Sequence, residues 1–406
     1  METKVLKLRI LPTAEQEQSL VNTMQEYTRV CNIVSNWIFN NGFEISHHRV
    51  NAAIYHDIRS QSTLTARLVQ DTFRTVCARY QTVQTQLSKV DTGYKDSNGK
   101  KIRKTLEWLW KPIEFKKLQC DLTHGIDYSF VDGGEIISIS TINGRQRMSF
   151  LTCDYWQQYF EGWKLGTAKL IHRNHKWYLH IPASRELTEY DKTQTQTVVG
   201  IDRGTRFLAT VYDGRNTFFW SGKEIMHKRD KFAKTRQNLQ AHNTRYSRRR
   251  LRKIGQRENR WMSHLNHVAT KALVETYGSN TVFAIEDLEG VSFEEKNLKH
   301  RSANGKRQLR SWAFYQFEMF LKYKAEAAGS YVLTINPRYT SQRCPNCCIV
   351  DKDQRDHVHH EYKCSCGFRS NDDRVGAMNI QELGNRWVSG EDKPKYTKTK
   401  NLAIAM

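Results

Sequence analysis

No stretch of this 406-residue chain is apolar for anything near the ~18 residues needed to span a bilayer. Its first residues, Met1-Glu2-Thr3-Lys4, lack the apolar core of a secretory leader. The pattern GxxxxGK[ST] is missing, which argues against a nucleotide-driven motor. Acids are in short supply: 42 Asp and Glu face 64 Lys and Arg, leaving a formal charge of +22. A field of that size repels itself in the folded state and attracts polyanions. Without a membrane segment, the polyanion to expect is nucleic acid.

What is present suffices for folding. Hydrophobic residues make up 38% of the chain and aromatics 11%, enough for two or three domains, each with a core. Five of the nine cysteines fall between Cys344 and Cys366. A disulfide framework would spread them, so the cluster points to a metal. Cys31, Cys77, Cys120 and Cys153 sit among apolar neighbours and are expected as small core hydrophobes.

Alternation over residues 4–11 predicts a half-buried strand, stopped by Pro12-Thr13. Thr13 and Gln16 have capping-box spacing. Beyond them Leu20, Met24, Tyr27, Cys31, Val34 and Ile38 form one helical stripe. Leu64, Leu68, Phe73, Val76, Tyr80, Val83 and Leu87 form a second. Both are expected to be plain core packing in a module of two long helices. Residues 89–104 are expected as a polar, basic loop. Short strands are expected at 136–141, 147–151, 167–172 and 177–181, with turns at Asp132-Gly133-Gly134 and Asn143-Gly144. This β-rich, barrel-like module could be closed by the first strand. Residues 185–197 have the composition of a linker.

The pattern then changes. Residues 197–202 are a continuous apolar strand ending in Asp202, followed by strands at 206–212 and 217–220. Residues 221–277 are helical and basic. Residues 281–286 form another buried strand ending in Glu286. A helix at 312–328, a strand at 330–336, the cysteines and a helix at 372–383 complete the series. From Val388 the tail is polar and Lys-rich, and disorder is expected there. Three strands, then helix, strand, helix, strand, helix is the element order of the RNase H fold.

Two-ion phosphodiester hydrolysis needs acids that hold hard cations ~3.5–4 Å apart. Asp202 and Glu286 end two core strands, and Asp373 opens the last helix. Each has a bland reading: a turn acid, a helix cap, or a first-turn acid favoured by the helix dipole. Three together in these places on a basic chain point to nuclease chemistry with Mg²⁺. The order Asp, Glu, Asp is that of RuvC-like nucleases, whereas many transposases with this fold use Asp, Asp, Glu.

The strings VVGIDRGTRFLAT, FAIEDLEGV, RSWAFYQ, NPRYTSQRCPNC and SNDDRVGAMNI, in this order, resemble the TnpB family. These are transposon-encoded, RNA-guided DNA endonucleases, ancestral to the type V CRISPR effectors. The resemblance implies a RuvC-like nuclease at 191–337 and 371–387, interrupted at 338–370 by a zinc ribbon that touches target nucleic acid. It further implies a wedge domain made of residues 1–12 and 91–190, with a helical recognition insertion at 13–90 and a disordered tail at 388–406. The implied catalytic, Mg²⁺-binding acids are Asp202, Glu286 and Asp373. Asp373 is preferred to Asp372 because the family's acid directly precedes the position of Arg374. VGA replaces the common NAA of the family. The implied partners are a guide RNA and target DNA, bound by a single copy in a prokaryotic cytoplasm, at the nucleoid when acting. Two other readings are an RNA-guided regulator that acts by occupancy and a guide-independent, structure-specific nuclease.

Cys344-Pro-Asn-Cys347 is a zinc knuckle, two intervening residues letting both thiolates face one ion. Cys364-Ser-Cys366 has one intervening residue where the family has two, and Cys348 replaces a glycine. Cys344, Cys347, Cys364 and Cys366 are the preferred ligands of one structural Zn²⁺; Cys348, His357, His359 or His360 could substitute. His357-Val358-His359 also matches the His-hydrophobic-His core of single-strand transposases, but no tyrosine helix accompanies it. In residues 221–260 fourteen Lys or Arg face three acids. Arg248, Arg249, Arg250, Arg252, Lys253 and Arg257 are the expected nucleic-acid contacts. Lys296–Arg310 adds a second basic stretch. Trp261, Trp312 and Tyr315 could stack on bases, although the two tryptophans start helices and suit a core.

Overall fold

The computed structural model describes residues 1–95, 97–151, 154–204, 206–288, 306, 314–356 and 359–397. Two compact units divide the chain, Met1–Glu186 and Leu187–Met406. The break falls at the start of the expected linker.

In the first unit β1 (Glu2–Leu11) buries Leu6, Leu8 and Ile10 on one face, as its alternation requires. Thr13 caps α1 (Ala14–Asn40): the Gln16 N–H donates to its hydroxyl, and the Gln16 side chain accepts from the Thr13 N–H at 3.0 Å. All six residues of the first stripe are buried. A helix absent from the sequence expectation follows, α2 (His47–Ser60). It buries only Val50, Ile54 and Ile58 and has no side-chain N-cap bond, so its signal is thin. Then comes α3 (Ala66–Leu87), packed on α1 and α2.

Residues 89–104 are not a plain loop. They hold a hairpin, β2 (Asp91–Lys95) and β3 (Lys101–Arg103), whose exposed side chains leave no alternation to detect. The sheet is completed by β4 (Cys120–Leu122), β5 (Tyr128–Val131), β6 (Ile136–Thr141), β7 (Gly144–Leu151), β8 (Lys164–Leu165), β9 (Ala168–Arg173) and β10 (Lys176–Arg185). A short helix, α4 (Asp154–Gln157), separates β7 from β8. Strand order is β4-β9-β10-β1-β7-β6-β5, with β8 also on β10. The first strand therefore joins the sheet's two halves, pairing antiparallel with both β10 and β7. A bridge between His124 and Tyr128 brings the two outer strands together, giving a nearly closed barrel. Cys31, Cys77 and Cys120 are buried as expected, and Cys153 lies outside the described residues.

In the second unit β11 (Thr197–Asp202), β12 (Phe207–Tyr212) and β13 (Thr217–Ser221) run antiparallel. Helices α5 (Lys223–His242), α6 (Arg245–Ile254) and α7 (Arg257–Tyr277) lead to β14 (Thr281–Glu286). Helix α8 (Phe314–Ala327) and β15 (Tyr331–Ile335) follow. The sheet order is β13-β12-β11-β14-β15, the last three strands parallel. Strands β16 (Arg355–Asp356), β17 (Glu361–Lys363) and β18 (Arg369–Asn371) form a separate small sheet before α9 (Asp372–Val388).

Side-chain alternation divides the central strands between two cores. Val199, Ile201, Phe283 and Ile285 pack with residues of α7 and α8; Val198, Val282 and Ala284 pack with Ile380 and Leu383 of α9. Helix α9 comes so close that a Cβ at Gly200 would sit 2.1 Å from the Ala377 carbonyl oxygen, and one at Gly384 2.6 Å from Val198. Glycine is needed at both positions for backbone approach, whatever their dihedrals.

The expectation of disorder from Val388 onward is corrected. Val388 ends α9, and Tyr396 is buried, its hydroxyl donating to the Asn379 carbonyl at 2.8 Å with the Arg343 guanidinium over its ring. One aromatic anchor in a lysine-rich segment left no periodicity to find. Residues 398–406 lie outside the described residues.

Candidate active site and cysteine cluster

In β11 and β14 the paired residues run to Ile201 and Ile285, so Asp202 and Glu286 follow as neighbours at the ends of parallel strands. Alternation turns both toward α9, on the side of Gly200 and Ala284. Asp373 lies in the first turn of α9, behind its N-cap Asn371, whose side chain accepts from the Arg374 N–H at 3.1 Å. Gly376, one turn on, presents no side chain to the Asp202 carboxylate. Asp202 therefore lies beside Glu286 and within electrostatic reach of Asp373, three acids from distant parts of the sequence.

Their electrostatics agree with that. Burial, then the charges of Glu286 and Asp373, hold the Asp202 carboxyl well above the usual range. Burial also raises Glu286, against the Thr340 hydroxyl and the charges of Arg203 and Arg355. Asp373 is raised by burial and by Asp372. Asp373 Oδ2 is buried with no hydrogen-bond partner among the described residues. Orphaned carboxylate oxygen in a cluster of acids is a donor set for a hard divalent cation.

Several neighbours were not singled out from sequence. The Thr340 hydroxyl donates to Glu286 Oε1 at 2.5 Å, which fixes that carboxylate. Arg203 is buried behind β14 and donates to the Glu286 and Phe314 carbonyls. Arg355, from β16, donates to Asp372 Oδ2 at 3.0 Å and reaches to within 3.9 Å of Asp373 Oδ1. His360, considered from sequence only as a substitute zinc ligand, instead has its Nδ1 3.4 Å from the same Asp372 oxygen. Thr340 and Arg203 belong to the motif strings, but hydroxyls and arginines are too common for sequence to assign them contacts.

Asp372 and Asp373 have different surroundings. Asp372 is fully buried and accepts a hydrogen bond from Arg355, whereas one oxygen of Asp373 is left unbonded among the described residues. A paired carboxylate suits a structural role and an unbonded one suits ligation.

The sulfurs of Cys344, Cys347, Cys364 and Cys366 all lie within 4.8 Å of one another. Cys344 and Cys366 are 3.7 Å apart and Cys347 and Cys364 3.4 Å, close to the ~3.8 Å edge of a tetrahedron with 2.3 Å zinc–sulfur bonds. The short Cys364-Ser-Cys366 spacing is accommodated by a turn: Gly367 takes φ +89° and donates to the Cys364 carbonyl. The Phe368 N–H holds the Cys366 thiol down at about 6, while burial pushes Cys344 up to about 12. Of the alternatives, Cys348 takes a hydrogen bond from Arg343 at 2.8 Å, His359 pairs with Asp356 and His360 faces Asp372. His357 and Val358 lie outside the described residues.

On α6 and at the start of α7, Arg248, Arg249, Arg250, Arg252, Lys253 and Arg257 are all exposed. Arg229 and Arg236, counted in the same basic run, instead converge on Glu258, and Arg229 is buried. Trp261 is partly buried in the core with Lys228 over its ring, whereas Tyr315 is 74% exposed. Of the Lys296–Arg310 stretch only Lys306 is described, and Trp312 lies outside the described residues.

Among the described residues no helix is long and apolar enough to cross a membrane. The family model described as "Probable transposase" matches residues 180–290, which carry Asp202 and Glu286. That described as "Cas12f1-like, TNB domain" matches residues 314–380, which carry the four cysteines and Asp373. A relative with a TnpB name, the TnpB-like protein L79 of Acanthamoeba polyphaga mimivirus, is 22% identical over 93% of this chain and 72% of its own. The chain is thus similar to a TnpB-named protein along most of its length. It is also 26% identical to the CRISPR-associated endodeoxyribonuclease Cas12f1 of Syntrophomonas palmitatica, over 52% of this chain. The match spans less than half of that relative, 43% of its length. Among solved structures, the chain shares its fold with a Cas12f1 bound to sgRNA and target DNA, at TM-score 0.61 and 12% identity, over 94% of this chain and 98% of that one.

Proposed function

We propose that this chain is a metal-dependent endonuclease that cuts DNA under the direction of a guide RNA, using Asp202, Glu286 and Asp373. The observation that carries the reading is their convergence, with pKa values raised by burial and, for Asp202, by the other two acids, and with an unbonded oxygen on Asp373. The sheet order of the second unit and the position of α9 support a RuvC-like RNase H fold. Residues 338–370 are then a zinc ribbon inserted into it, and the first unit a wedge domain carrying a helical insertion. The partners named for the Cas12f1 structure, an sgRNA and target DNA, are the basis for proposing a guide RNA and DNA here.

The residues fit a pair of hard divalent ions such as Mg²⁺, whose donors would be the oxygens of the three acids. When bound, such ions supply charge neutralisation at the scissile phosphate and lower the pKa of an attacking water. The chain's own residues prepare that site. Thr340 and the Arg203 contact with the Glu286 backbone hold the second acid; Asn371 and Gly376 set Asp373 against Asp202. Arg355 offsets part of the repulsion among the acids. The four cysteines would hold one Zn²⁺ with no open position, a structural site. The exposed arginines of α6 would meet phosphates.

Sequencing the RNA that copurifies with the expressed chain tests the guide. A defined RNA whose variable end directs cutting of matching DNA supports the proposal. Sequence-independent cutting without RNA would replace it with a structure-specific nuclease, and guided binding without cutting would replace it with a regulator acting by occupancy.

A further inference from the structure

The first unit carries an aromatic and basic strap whose exposure nothing in its own fold explains. Residues 89–117 hold nine Lys or Arg against four acids. Trp110 is 82% exposed and Trp108 51%. Single exposed aromatics are ordinary on protein surfaces. Here two tryptophans two residues apart are displayed together, and each has a lysine over its ring: Lys104 Nζ lies 4.7 Å from the Trp108 centroid and Lys111 Nζ 4.4 Å from that of Trp110.

The display is not a loose loop. Leu106 is buried, and Leu109, Ile113 and Phe115 pack against the core of the first unit. Asn32 of α1 clamps Phe115 on both sides, accepting from its N–H at 2.8 Å and donating to its carbonyl at 3.1 Å. Ser35 donates to the Ile113 carbonyl at 2.6 Å, and the Tyr80 hydroxyl of α3 accepts from the Ile113 N–H. Leu106, Leu109, Ile113 and Phe115 turn to the core while the two tryptophans face solvent. A pinned backbone presents those rings with little ordering entropy left to lose on binding.

We infer that Trp108 and Trp110 form a stacking platform for unpaired nucleobases, with Lys104 and Lys111 meeting the phosphates of the same strand. The chemistry is that of single-strand binding, in which aromatic faces take bases of any sequence and cations follow the backbone. The positive balance of the strap selects a polyanion over a neutral partner. The strand can be single-stranded RNA or single-stranded DNA; both offer the same face and charge. The inference is independent of whether the three acids cleave.

The test uses the full chain, freed of copurified nucleic acid in high salt. Its probes are labelled oligouridylate, oligothymidylate and a blunt DNA duplex of equal length. Trp110→Ala should weaken single-strand binding about tenfold, and Trp108→Ala together with it further still, at a salt concentration that screens phosphate contacts. Trp110→Phe should keep most of the affinity, and duplex binding should move less than twofold in every variant. Thermal midpoints should stay parental, since both rings are exposed. Loss confined to oligouridylate assigns the platform to RNA, and loss confined to oligothymidylate assigns it to DNA. Single-strand affinity unchanged in the double alanine variant would overturn the inference, as would equal losses on the duplex. A parental chain that self-associates through this surface, becoming monomeric in the double variant, would overturn it too.

Discussion

Gly376 and Asp202 occupy adjoining space: a Cβ on the glycine would lie 2.8 Å from the aspartate Oδ2. The missing side chain leaves room for the carboxylate where it stands. Gly376→Ala should therefore displace Asp202 and lower the cleavage rate by roughly 100-fold, the order of loss that a misplacement of about 1 Å can produce. Nucleic-acid affinity and the far-ultraviolet circular dichroism should be unchanged. A parental cleavage rate in this variant would mean that Asp202 is not held where the chemistry happens.

The adjacent acids should separate cleanly. Asp372→Asn breaks a buried pair with Arg355 and should lower unfolding stability by about 2–3 kcal/mol, Arg355 being partly solvated, while leaving measurable cleavage. Asp373→Asn should abolish cleavage without that loss of stability. The reverse pattern in chemical denaturation and cleavage assays would exchange the roles of the two residues.

Stability against pH carries the signature of the acid cluster. Asp202, Glu286 and Asp373 keep their protons to higher pH in the folded protein than in the unfolded chain, because burial raises all three. Without divalent ions, folded stability should fall as pH rises from about 4, the unfolded value, through the raised folded values, and stay low above them. Asp202→Asn should make that fall shallower. Mg²⁺ should raise the neutral-pH melting point of the parental chain more than that of the variant.

How much of this was legible in the sequence depended on how each element announces itself. The strands bearing Asp202 and Glu286 are continuous apolar runs ended by an acid, and their expected bounds match the structure. The stripes of α1 and α3 were equally plain. By contrast α2 buries three side chains on one face of an otherwise polar helix, and the β2–β3 hairpin buries almost nothing. Tyr396 is a single anchor in a polar tail. Within the candidate site, the convergence of the acids followed from element order. The contacts of Arg355 and Thr340 did not, because they depend on where the small sheet and the turn before it lie. The pairing of Arg229 and Arg236 with Glu258 was hidden for a similar reason: charge counts do not see partners 22 and 29 residues away.

The cysteine cluster makes a stoichiometric prediction. Metal analysis of freshly reduced protein should give about one zinc per chain, lost on acidification as the thiolates are protonated. Cys344→Ser should lower that value and loosen the residues around it, visible as faster amide exchange there. Cys348→Ser should retain the metal. Zinc loss in the Cys348 variant would show that the ligand set is wrong.

The central claim is chemical and is tested most directly by one measurement. The chain, purified with its RNA, is mixed with DNA matching that RNA, in Mg²⁺ or in chelator. The parental protein should cut in Mg²⁺ alone. Asp202→Ala, Glu286→Ala and Asp373→Ala should each abolish cutting while binding the same DNA, and a double variant should be no worse than either single one, because the acids act as a unit. Cleavage at the parental rate by any of the three variants, or by the parental chain in chelator, would contradict the account.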